Sequence, residues 1–158
     1  MRNLHSFGKA AGIRADILTL AKGLGAGFPA GAIVSRTALG EPKGGLFGST
    51  FGGGPLASAA VSVVCAAVRE PAFRKNVEQV SAVIDGCAKV KGVTEMLGIG
   101  LLRGIRVQRP ASEVKAKLLE RGFIVGGSND PQVIRLMPPL TLTVKQAAAF
   151  VDALAGVL

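Results

Sequence analysis

The alternation of apolar and polar positions divides the chain into short buried-strand patterns, glycine-rich breaks and longer helical patterns. Residues 15–21, "ADILTLA", form an apolar run that stops at a glycine cluster, which predicts a short strand. A second strand is predicted over 31–36, "GAIVSR", after the turn at "FPAG". Seven glycines within residues 40–54 predict a loop. With Pro55 the pattern becomes a helix, "PLASAAVSVVCAAVRE", in which proline takes the first position and Pro71 is expected to close the element. Phe73, Val77, Val80, Val83 and Ile84 recur at helical spacing and predict a second helix over about 72–90.

Beyond Gly92 the texture changes. Residues 93–108 predict a glycine-broken strand pair, and 112–121 a helix with Ser112 as its cap. Strands follow at "GFIVGG" and "VIRLMPP", and a last helix is capped by Thr143. This order implies an α/β fold of two lobes, with a boundary near residue 90: 1–90 and 91–158.

Composition narrows the choice. The 158 residues are 49% hydrophobic and 18% charged, enough to build a core. That core must use small side chains, because the chain has 22 glycines and neither Trp nor Tyr. A net charge of +9 raises the possibility of polyanion binding, but the cations are dispersed and stacking aromatics are few, which weighs against nucleic acid. Cys65 and Cys87 lack CxxC spacing and histidine partners, so buried free thiols are expected and no metal site. No apolar run reaches membrane-spanning length, and a cytoplasmic location is expected. His5 stands alone and suits a surface or packing role.

Three stretches carry candidate chemistry. Lys22 follows the first strand and is surrounded by glycines, where an unhindered amine could attack a carbonyl. A surface lysine after a strand would show the same spacing. In "GSTFGGGP", Ser49 and Thr50 precede a helix N-terminus, an arrangement suited to an anion, although neither GxxxxGK[ST] nor a GxGxxG after a strand occurs. Arg135 interrupts the apolar strand "VIRLMPPL" and either reaches outward to solvent or holds a carboxylate.

Together "DILTLAKGLGAGFPAGA", "GSTFGGGPLASAA" and "VIRLMPPLTLT", in that order, resemble the class III aminotransferases, and among them the acetylornithine and succinylornithine enzymes. The resemblance implies the C-terminal half of a PLP-dependent transferase type I fold: part of the large-domain sheet with long helices over 1–90, and a small α+β domain over 91–158. It implies pyridoxal 5′-phosphate (PLP) as cofactor and Lys22 as the amine that condenses with it. Thr50 would reach the PLP phosphate of a dimer partner, Ser49 would lie near bound acylornithine, and Arg135 would hold a substrate carboxylate. "GIGLLRGI" resembles the family strand leading into the small domain.

Departures occur at Phe47, Gly54 and Leu97, where the family commonly has His, Asn and Arg. The family's ring-nitrogen Asp, phosphate cup, stacking aromatic and earlier substrate Arg have no counterparts in this chain. The implied reaction moves the δ-amino group of acetylornithine to 2-oxoglutarate in arginine biosynthesis. A homodimer or a complementing N-terminal half would be the partner, and the chain is expected to be a truncated product, inactive alone, or one half of a split enzyme. Ornithine, 4-aminobutyrate and acyl-lysine aminotransferases are the alternatives within the family. A non-enzymatic basic module that binds anions or nucleic acid is the alternative outside it.

Overall fold

The computed structural model describes residues 12, 14–41, 43–45 and 48–158. His5 and Phe47 lie outside the described residues. Two compact units divide between Glu70 and Pro71, so the second long helix belongs to the C-terminal unit, not to the N-terminal lobe in which the sequence placed it.

In the first unit, β1 (Ile17–Leu20) and β2 (Ala32–Ser35) form an antiparallel pair with Leu20 opposite Ala32. Its open end is tied by the Arg36 amide to the Asp16 carbonyl at 2.9 Å, and by the Arg36 guanidinium to the Asp16 carboxylate at 2.6 Å. One face of the pair is apolar, with Leu18, Leu20, Ala32 and Val34; the other mixes Ile17 and Ile33 with Thr19 and Ser35. A short 3₁₀ turn, Thr37–Leu39, and the glycine-rich loop lead to helix α1 (Pro55–Ala67), with proline at its first turn as predicted. Helix α1 has no fully buried residue; Leu56 and Val63 are 74% and 69% exposed. Cys65, expected to be buried, is therefore only partly so. An apolar helix with this much exposure has a surface that calls for covering.

The second unit carries its own core. Helix α2 (Pro71–Asp85) begins at Pro71, the residue expected to end the previous helix, because a proline at the first turn forfeits no intrahelical bond. A 3₁₀ turn, Gly86–Lys89, follows. Strands β3 (Val93–Ile99) and β4 (Leu102–Val107), helix α3 (Ala111–Glu120), the two-residue β5 (Gly126–Gly127), β6 (Val133–Leu136) and helix α4 (Val144–Ala155) complete it. The sheet order is β3-β4-β6-β5, antiparallel throughout. One sheet face, bearing Ile105, Val107, Ile134 and Leu136, packs with Val80 and Ile84 of α2, Leu118 of α3 and Leu154 of α4. Cys87 joins this core, and burial pushes its thiol up to about 11, so it stays protonated at neutral pH.

Two local expectations are corrected. Ser112 is the second residue of α3, not its cap; Pro110 takes the cap position without a side-chain bond. The strand expected over "GFIVGG" pairs only at Gly126 and Gly127. Continuing that register would set Phe123 against Pro138, which has no N–H to give to a ladder, and the Phe123 amide instead donates to Leu118 O at 2.9 Å.

Thr143 caps α4 as expected, and reciprocally: its hydroxyl accepts from the Gln146 amide, and the Gln146 side chain accepts from the Thr143 amide at 3.0 Å. Thr143→Ala should lower the second unit's stability by about 1 kcal/mol, read as a shifted urea midpoint at unchanged slope. The other end of α4 is held by Arg121, which donates to Gly156 O at 2.8 Å and Ala153 O at 3.3 Å.

Arg106 bridges two carboxylates, Glu95 at 2.9 Å and Asp130 at 2.6 Å. The Asp130 carboxyl is held below its ordinary range, first by the Gln132 amide and then by Arg106. A depressed native pKa stabilises the fold above the ordinary value, and that contribution disappears as pH falls through the native one. Asp130→Asn should therefore flatten the fall in urea midpoint as pH drops below about 5.

Candidate active site

The first unit builds its candidate site from the end of β1. Ala21 is extended (φ −158°), and at Lys22 the backbone turns into the left-handed region, φ +56°. Few non-glycine residues adopt this conformation, and where they do the surrounding structure imposes it, often at a functional position. Lys22 opens a 3₁₀ turn, Lys22–Gly25, closed by Ala26, also left-handed at φ +49°. The amides of Leu24, Ala26 and Phe28 donate to the carbonyls of Ala21, Gly23 and Gly25 at 3.0–3.2 Å.

The glycines around Lys22 have different causes. A Cβ on Gly25 would stand 3.2 Å from that of Ala30, so this glycine permits close packing inside the turn. Gly27 has φ +106°, which disfavours any side chain. Gly23, immediately after the lysine, has open space where its Cβ would be. Of the three, Gly23 and Gly27 leave room beside the backbone; Gly25 does not.

Helix α1 packs against this turn. Just before it, Ser49 and Thr50 sit exposed at the start of a turn in which the Gly52 amide donates to Ser49 O at 3.2 Å. A Cβ on Gly52 would lie 2.9 Å from that of Ser49, so the loop requires glycine there. The helix cap is Gly54, with no side chain to satisfy the first-turn amides. An exposed hydroxyl pair followed by an uncapped helix N-terminus suits an anionic group. Thus Lys22 and the Ser49–Thr50 loop belong to one unit, connected through α1, and the lysine itself is solvent-exposed.

Arg135 belongs to the second unit. It lies in β6 on the sheet face opposite the core, exposed between buried Ile134 and Leu136. Its cross-strand neighbours are glycines on both sides, Gly104 in β4 and Gly126 in β5, and Leu97 stands beyond Gly104. A Cβ on Gly126 would come within 3.3 Å of Arg135 Nε, so the arginine lies along that glycine. The sequence pattern separated Arg135 from its neighbours, but the glycine lane flanking it depends on register and could not be read from spacing. The left-handed backbone at Lys22 was likewise hidden, since nothing in "LAKG" demands it.

The Aminotransferase class-III family model matches residues 5–158. The chain belongs to the class III aminotransferases. Enzymes of this family are PLP-dependent. Acetylornithine aminotransferase 1 of Bordetella parapertussis is 38% identical over 143 residues, which are 87% of this chain and 36% of that protein. Among solved structures, the ornithine δ-aminotransferase of Plasmodium falciparum matches with a TM-score of 0.82 at 25% identity, covering 95% of this chain and 41% of its own. The ornithine aminotransferase of Toxoplasma gondii, described with PLP at partial occupancy in its active site, matches with a TM-score of 0.73 at 29% identity, covering 90% of this chain and 37% of its own. This class III aminotransferase chain thus spans little more than a third of the length of its relatives, and its two units share their α/β, PLP-dependent transferase fold. Among the described residues no single helix is long and apolar enough to cross a membrane.

Proposed function

We propose that this chain is the lysine-bearing, C-terminal portion of an acetylornithine:2-oxoglutarate aminotransferase serving arginine biosynthesis. The observation that carries the reading is Lys22: an amine in a left-handed backbone position at the carboxyl end of a strand, beside an open Gly23. The residues present suit PLP. Lys22 would hold its aldehyde carbon, and Thr50, beside the uncapped start of α1, would receive the phosphate of a dimer partner's PLP. When bound, PLP supplies the electron sink for amino-group transfer.

The chain's own residues do the rest. Lys22 Nζ, once the substrate amine has freed it, would take the proton from the carbon that bears the transferred amine, Cδ of acetylornithine, as general base and give it back as general acid. Ser49 lies near the acyl end of the substrate, and Arg135 pairs with a substrate carboxylate, for which its planar fork is suited. A homodimer places Thr50 at the partner's phosphate.

The reading also includes dependence on other polypeptide. The described part of the first unit buries almost nothing: Ile17, Ile33, Phe51 and Leu56 are all more than half exposed. Turnover therefore requires the region corresponding to the rest of the relatives' length, supplied in the same or a separate chain, and this portion alone is inactive. Ornithine is the second candidate donor, favoured by the names of the structural neighbours. Incubation with PLP and borohydride, followed by peptide mapping, tests the assignment: the reduced pyridoxyl group should map to Lys22. Labelling spread over several lysines would refute it.

A further inference from the structure

The two glycines that flank Arg135 across the sheet have different tasks. A Cβ on Gly104 would stand 3.1 Å from Val133 Cγ1 and 3.2 Å from Leu97 Cβ, so the space above it is taken by those two apolar side chains. Val133 lies two residues before Arg135 on the same face of β6 and is buried, so with Leu97 it fills the side of Arg135 toward β4. A Cβ on Gly126 would instead stand 3.6 Å from Arg135 Cβ and 3.3 Å from its Nε. The stem of the arginine therefore runs over Gly126, where any other residue carries its own side chain.

Backbone conformation does not demand glycine here. Gly126 lies outside the left-handed region, so alanine suits its φ. Nor does β5 gain from it, since glycine in a strand has no side chain to pack. What the glycine provides is a floor for one cationic side chain. A free surface arginine loses rotamer freedom when it grips a carboxylate, and its planar fork must be held at one orientation to make two parallel bonds. A stem already laid along the strand has less freedom left to lose, which strengthens binding. Among the described residues no carboxylate pairs with Arg135, so the fork is available.

We propose that Gly126 is a positioning residue: having no side chain, it lets Arg135 lie along β5 with its guanidinium presented to the substrate carboxylate. A side chain at this position lifts the stem. Because Val133 and Leu97 fill the other side, the guanidinium is then pushed out into water with its freedom restored. The inference rests on the assignment of Arg135 to a substrate carboxylate, and it specifies what keeps that arginine in place.

The probe is glutarate, a dicarboxylate with neither ketone nor amine, titrated into the isotope-labelled full chain while the Arg135 Nε–H resonance is followed by NMR. A saturable shift is expected, and Gly126→Ala should raise the half-saturating concentration at least about fivefold. Gly127→Ala, in the same two-residue strand, should leave the affinity as it is, because its Cβ would meet only the flexible Lys115 Nζ, at 3.3 Å. Arg135→Lys should bind glutarate more weakly, and adding Gly126→Ala to it should cost less than about twofold more. Unchanged affinity in Gly126→Ala would overturn the proposal. So would an equal loss in Gly127→Ala, or the full loss retained in the Arg135→Lys background. No saturable shift in the native chain would overturn the substrate role of Arg135 and this proposal together, and would leave the Lys22 adduct test untouched.

Discussion

Ile134→Ala lowers the stability of the second unit by about 3–4 kcal/mol, near the middle of the range for large-to-small changes in well-packed cores. Ile134 is fully buried in β6, a central strand, and faces Ile105 across β4 and Gly127 across β5. The sheet is held on both sides of it, so the surroundings cannot close around the lost atoms. Urea unfolding followed by circular dichroism should show the fall in midpoint. Arg135→Ala, one residue along on the opposite face, should move that midpoint by less than about 0.5 kcal/mol equivalent. Equal effects at the two positions would mean that β6 does not present these faces as described.

Lys22→Ala abolishes the borohydride-reducible pyridoxyl adduct, and in a fully assembled enzyme reduces turnover by at least about 10⁴-fold. Lys22→Arg does the same, because a guanidinium stays charged at any working pH and cannot attack a carbonyl. Lys43→Ala, in the glycine-rich loop, leaves the adduct intact. Absorbance near the pyridoxyl band and intact-mass measurement after reduction give the readout. An adduct that survives Lys22→Ala would remove Lys22 from the assignment and with it the proposed function.

Much of this arrangement was legible in the sequence. Pro55 marked the start of α1, Thr143 marked that of α4, and the apolar spacing from Val77 to Ile84 marked α2, because each signal is local chemistry. The lysine, the hydroxyl pair and the arginine stood out for the same reason. Other features depend on partners distant along the chain. Whether "GFIVGG" becomes a strand is decided by the prolines that end β6. Whether α2 joins the first or second unit is decided by its packing against α4, which no pattern within 72–90 encodes. The position of Gly104 and Gly126 beside Arg135 follows from sheet register, which a single strand does not reveal.

The contrast between the two units has a kinetic consequence. One half of the chain holds a sealed interior and can mature unaided; the other displays Phe51 and α1 to water. The segment joining β1 to β2, which carries Lys22, lies in that open half, so under the proposed function the amine becomes competent only on assembly with the remaining polypeptide and stays idle before it.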